Sequence, residues 1–144
     1  MFRNDRPEDP IFGPEELLYR RYLNEHWIDG LFSPAGLKFP KQSVNRRKYS
    51  EPEDVLFSED GSLDGYGVLE FANRNLPPRL QETGTPIFVF FMKHVPQELN
   101  CAHSEIWCET EHTTGQYVNP SPAIKKRFRT KLSQHVMVRI PAQK

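Results

Sequence analysis

The chain has 144 residues, of which 37% are apolar and 26% charged, with 19 Lys+Arg against 19 Asp+Glu and a net charge of zero. That length fits one ordinary domain, and an aromatic content of 12% argues against disorder throughout, since disordered chains lack the aromatic and β-branched residues that build a core. No apolar run approaches ~18 residues, which excludes a membrane-spanning helix by sequence, and the polar start Met1-Phe2-Arg3-Asn4-Asp5 lacks a signal-peptide core, so a cytoplasmic location and no membrane partner are expected.

Taken in chain order, residues 1–14 hold three prolines and read as an irregular N-terminal arm; residues 15–144 read as a single α+β domain. Residues 15–24 fit two elements: Pro14 followed by two glutamates suits a helix start with Leu18 and Tyr22 in one stripe, while the alternation of Leu18, Arg20 and Tyr22 against Leu17, Tyr19, Arg21 and Leu23 suits a strand, the reading favoured. Residues 25–42 form a long connection with turn signals at Asp29-Gly30 and Ser33-Pro34-Ala35-Gly36. Its many apolar residues, Trp27, Phe32 and Phe39 among them, imply a loop packed onto the core. Ser43-Val44-Asn45-Arg46 is a short strand candidate, and Ser50-Glu51-Pro52-Glu53 reads as a capping box opening a helix through Phe57. Residues 66–72 suit a strand, and Leu76–Glu82 a helix of one or two turns. The continuous apolar run Ile87–Met92 predicts a strand buried on both faces. The segment His103–Glu109 alternates, with Ser104, Ile106 and Cys108 against His103, Glu105, Trp107 and Glu109, so it predicts a half-buried strand. Ser121-Pro122 opens a helix to about Gln134 with an Ile124, Phe128, Leu132 stripe, and Val136–Ile140 is a last strand. The expected fold is a small α+β domain with a mixed or mostly antiparallel sheet, a C-terminal amphipathic basic helix and long packed loops.

Charge is unevenly distributed. Residues 120–144 hold seven basic and no acidic residues, which leaves twelve basic and nineteen acidic groups, a net of −7, on the rest. The helix cations Lys125, Lys126 and Arg129 are therefore candidates for contact with phosphates or an acidic partner, unless they are only a solvated face. Trp27 and Phe32 are candidate anchors for a protein partner, because interfaces favour aromatic residues.

Three constellations carry residue types of chemical interest. Cys101, His103, Cys108 and His112 are all zinc-ligand types, but Cys108 has the wrong strand parity to join Cys101 and His103, so the expectation is no metal and no cofactor. His103 and Glu105 share one strand face and form a candidate acid/base pair, or else a polar solvent face. Arg20, Ser43 and Arg46 supply guanidinium forks and a hydroxyl suited to binding an anion. With Glu105 they would suit an anionic nucleotide, as in enzymes that transfer ADP-ribose.

Several short motifs together resemble those of a group of small uncharacterised bacterial proteins: Leu18-Tyr19-Arg20-Arg21, Asp29-Gly30 followed by Ser33 and Ala35, Ser43-Val44, and Ala102-His103-Ser104-Glu105-Ile106 ahead of the basic helix. The resemblance covers roughly residues 17–132 and departs at Gly36-Leu37-Lys38, where an aromatic residue is expected after the alanine. It implies a bacterial or phage-related origin and a small standalone domain, and it supplies no catalytic residues. The leading expectation is a non-enzymatic interaction subunit of a larger bacterial assembly, in host defence or nucleic-acid handling, with a larger protein as partner. The alternatives are an enzyme on a nucleotide-like substrate using His103 and Glu105 with Arg20 and Ser43, and a sequence-nonspecific nucleic-acid binder using the 122–134 helix.

Overall fold

A computed structural model describes residues 9–29, 31–33, 42–57, 60–97 and 100–143. Its strands are β1 (Leu17–Tyr22), β2 (Trp27–Ile28), β3 (Leu31–Phe32), β4 (Gln42–Arg46), β5 (Gly67–Ala72), β6 (Arg79–Leu80), β7 (Phe88–His94), β8 (His103–Thr110) and β9 (Met137–Ile140), with one helix, α1 (Pro122–Ser133), before the last strand. Seven strands form one sheet in the order β6-β7-β8-β4-β1-β5-β9, and β2 with β3 makes a separate hairpin. Every pairing in the sheet is antiparallel. One helix beside an antiparallel sheet is an α+β arrangement.

Strand side chains alternate between faces. Leu18, Tyr22, Val44, Leu69, Phe71, Phe88, Phe90, Met92, Ile106 and Cys108 point to one face, where they pack with Ile124, Phe128 and Leu132 of α1 and with Phe32. Phe90 and Phe128 meet with ring centroids 4.5 Å apart. The β2–β3 hairpin closes the core over β1, its Trp27 and Phe32 rings 6.2 and 5.9 Å from Tyr22. Gly67 of β5 is fixed by a crossing: a Cβ there would stand 2.5 Å from the Ala142 nitrogen and 2.5 Å from the Tyr22 ring.

Four expectations are corrected. The run at 87–92 is buried on one face only: Phe88, Phe90 and Met92 are inside against the helix, whereas Phe91, on the other face, is 37% exposed. The segment at 76–82 is not helical but carries β6, since Pro77 and Pro78 lack N–H groups and hold the chain extended. Ser50 does not cap the next turn. Its hydroxyl donates to the Arg46 carbonyl, and Asp54 accepts the Glu51 N–H at the start of a 3-10 turn over Pro52–Leu56. Ser121 precedes α1 in the cap position, but its hydroxyl makes no capping bond. Phe39, the Gly36-Leu37-Lys38 departure and the first eight residues of the arm lie outside the described residues.

The contacts that hold the described part of the arm centre on one side chain. Arg46, on the core face of β4, is fully buried. Its Nε and one terminal nitrogen donate to the two carboxylate oxygens of Glu16, at 2.5 and 2.8 Å. The remaining donors reach the main-chain carbonyls of Asp9 and Ile11, and the Phe12 ring lies 3.8 Å beneath the guanidinium carbon. Around this centre Asp9 accepts from Lys48 at 2.6 Å and from the Tyr49 hydroxyl at 2.6 Å. Arg46 was expected to bind an external anion; it is instead consumed by the protein's own carboxylate.

Removing one partner of a buried pair strands the other without water. Arg46→Met is therefore expected to lower the unfolding free energy by about 3–5 kcal/mol in urea titrations, and a second change, Glu16→Leu, to restore much of it. Additive losses would refute the pairing. The hydrogen bonds from Lys48 and Tyr49, with the nearby Arg46 charge, hold the Asp9 carboxyl well below its ordinary value of 3.8. A depressed folded-state pKa contributes stability that is present above the unfolded value and lost as pH falls beneath it. Stability should thus decline with acidification below pH 3.8, and Asp9→Asn should flatten that slope.

Candidate functional site

The register of the sheet decides which expected site residues meet. Ser43 lies opposite Glu105, Asn45 opposite His103, and Lys93 opposite Glu105. Directly opposed residues share a face, so Ser43, His103 and Glu105 lie on the outer face, away from α1. Arg20 lies on the core face with Leu18 and Tyr22. It reaches only the main-chain carbonyl of Ser43, at 3.0 Å, and not its hydroxyl. The four residues of the nucleotide-enzyme reading therefore do not surround one pocket. His103 is 7% exposed, and its Nδ1 is bonded to the Val95 carbonyl at 2.8 Å. A carbonyl only accepts, so that nitrogen carries the proton, and the ring serves to hold the 95–103 connection.

The cysteine and histidine set also separates. Cys108 is buried on the core face, His103 is on the outer face, and His112 is exposed beside Glu111. Among the described residues no three metal-binding side chains cluster. Burial, reinforced by the neighbouring Glu109 charge, pushes the Cys108 thiol up to about 12.

On α1 the named contact cations are unequal. Lys126 is exposed, but Lys125 and Arg129 border the buried stripe and are half-buried. The neighbouring Arg127 donates to the Gln81 carbonyl at 2.7 Å and pairs with Glu82 at 3.3 Å. Of the expected aromatic anchors, Phe32 is a core residue at 5% exposure and Trp27 is half-buried against it.

The outer side of β7 is paired over only part of its length among the described residues. β6 has two residues, and they pair with Phe88 and Val89 alone. The Phe90 N–H then reaches the Pro78 carbonyl at 2.9 Å, and the double proline ends the ladder. Main-chain groups two residues apart point to the same side of a strand, so Met92 directs its N–H and carbonyl outward past the end of β6. No strand pairs with it there among the described residues.

Beside this edge runs a groove of about 460 Å³. Pro10, Phe12 and Pro14 of the arm form one wall, Leu76 and Pro78 with Asn73 and Arg74 the other, and Phe90, Phe91 and Met92 the floor. Phe91 belongs to the opposite face from Phe90 and Met92, so the groove extends over the strand edge itself. On the outer face Phe91 lies across from Trp107. Trp107 is fixed by three contacts: the Lys93 ammonium 3.7 Å above its ring, Tyr117 edge-on at 5.2 Å, and Glu109 accepting its Nε1–H at 3.1 Å.

Residue types alone missed this edge, because an apolar run does not say which neighbour stops short. Its one signal in the sequence is Pro77-Pro78, which forbids a long partner strand.

No family model, curated protein or solved structure matches the chain. Among the described residues no helix is long and apolar enough to cross a membrane.

The separation of the cysteines has a measurable consequence. Half-buried Cys101 is expected to react with an aromatic disulfide reagent in the native protein, while Cys108 reacts only as fast as the fold opens. Two equally fast thiols would contradict the placement of Cys108.

Proposed function

We propose that this protein is a non-enzymatic interaction subunit that binds an extended segment of a partner protein as an added strand along β7. The observation that carries the reading is the outward-facing main chain of Met92 beside a groove walled by Pro10, Phe12, Pro14, Leu76 and Pro78. An added strand takes its affinity from main-chain hydrogen bonds and its selectivity from alternate side chains entering pockets. Here every second residue of the guest would enter the groove, and the mostly apolar walls favour aliphatic or aromatic side chains there. A volume of about 460 Å³ falls within the usual range for binding clefts. The rigid aromatic pair Phe91 and Trp107 provides a further contact surface for residues of the guest facing the other way.

Peptides selected from a random display library against the full chain test this reading. Bound peptides are expected to carry apolar residues at alternate positions and to slow hydrogen exchange at the Met92 amide. Phe91→Lys places a charge at an exposed edge position, leaves the core untouched, and is expected to weaken binding about tenfold or more. Peptides that leave the Met92 amide unprotected, or that bind Phe91→Lys equally well, would overturn the proposal, as would a library that yields no binder.

A further inference from the structure

β1 and β4 are neighbours in the sheet, yet they pair only at Leu18–Arg46 and Tyr19–Asn45, whereas β1 pairs with β5 along its full length. Past Asn45 the two strands part. The first β4 carbonyl left without a ladder partner, that of Ser43, accepts from an Arg20 terminal nitrogen at 3.0 Å. The Arg20 guanidinium therefore sits in the seam between the strands, on the core face, between Leu18 and Tyr22.

Among the described residues no carboxylate pairs with Arg20 there. Its Nε is shielded from solvent and has no hydrogen-bond partner. Burial pushes its pKa down to about 10, and the neighbouring Arg21 charge, of the same sign, acts in the same direction. The contrast with Arg46 is direct: on the same face of the next strand, that guanidinium has a bidentate carboxylate, two carbonyls and an aromatic ring. Buried cations without a counter-charge are strongly disfavoured, and proteins meet the demand with a side chain or a ligand.

We infer that Arg20 anchors a binding site for a small oxyanion, a carboxylate or a phosphate, in the seam where β1 and β4 part. A guanidinium presents its N–H groups as a planar fork that matches two oxygens of such an anion, and a charge-assisted pair of this kind is stronger than a neutral hydrogen bond. Arg20 is half-buried as a whole residue, while its Nε is shielded from solvent. This site lies three strands from the outer edge of β7 and is independent of peptide binding there.

The Arg20 Nε–Hε cross-peak in a nitrogen-15 spectrum of the full chain reports on the site directly. Titration with sodium phosphate and with sodium acetate is compared with sodium chloride at equal ionic strength. The expected result is a saturable shift with at least one oxyanion and none with chloride, together with a rise in melting temperature from the same oxyanion. Arg20→Gln keeps an N–H for the Ser43 carbonyl but loses the charge and the fork, and is expected to weaken the oxyanion response about tenfold. Arg20→Lys keeps the charge alone and should fall between the two. Phe91→Lys should leave the response unchanged, so that failure of this site and failure of the β7 reading are distinguishable. A cross-peak that moves alike with chloride and oxyanions, no movement with any of the three, or equal oxyanion stabilisation of the parent and Arg20→Gln would overturn the inference. Response to phosphate alone, or to acetate alone, would identify which oxyanion the seam takes.

Discussion

A guanidinium without water must be surrounded by acceptors, and this requirement at Arg46 organises one end of the molecule. The carboxylate of Glu16 supplies the charge, and the carbonyls of Asp9 and Ile11 fill the remaining donors. These acceptors belong to the segment entering β1, so satisfying Arg46 forces that segment to lie across β4. Lys48 and Tyr49 then hold Asp9 from the other side. Pro10, Phe12 and Pro14 are carried into place by these bonds, and they are one wall of the groove at β7. The candidate site is therefore downstream of a buried ion pair, which the contacts of Asp9 with Lys48 and Tyr49 and of Asn73 with the arm's carbonyls reinforce.

Much of the sheet was legible in the sequence because strand periodicity is local. Alternation at 103–109 correctly divides Ser104, Ile106 and Cys108 from Glu105, Trp107 and Glu109, and the strands at 17–22 and 137–140 fall where the pattern puts them. The errors come where a neighbour decides. An apolar run such as 87–92 cannot show whether one face or two will be covered; here the helix covers one, and Phe91 is left outside. The segment at 76–82 has helix-forming residues, but its two prolines leave the chain extended long enough to meet Phe88 and Val89. Parity within a strand is readable from sequence, whereas parity across strands needs the register. That is why Arg20 and Ser43 were grouped as one clamp although they face opposite ways.

Arg20 and Arg46 show the same limit at the level of chemistry. Both are arginines on the core face of adjacent strands, and residue type alone marks both as anion binders. What separates them is reach. Arg46 stands at the end of β4 where the entering chain can fold over it, so it obtains an internal carboxylate. Arg20 stands mid-strand with Arg21 beside it, and its bond to the Ser43 carbonyl repairs a broken ladder. The sequence supplies the cation in each case, and the topology decides whether its counter-ion comes from within.

The two edges of the sheet are treated differently, and this difference favours β7 as the docking strand. At the β9 edge a register shift interrupts the ladder between Val68 and Leu69, and Arg139 is placed there, paired with the buried Glu70 at 3.7 Å. An irregular ladder and a fixed charge are ordinary means of keeping a strand edge from recruiting a partner. At the β7 edge the residue that would serve the same purpose is Lys93. Its ammonium is instead drawn 3.7 Å over the Trp107 ring on the outer face, away from the edge. The register of β7 with β8 runs unbroken from Phe88 to His94. An uninterrupted edge, a lysine held off it by an aromatic ring, and an apolar groove alongside are the conditions under which an added strand gains hydrogen bonds and buried surface together.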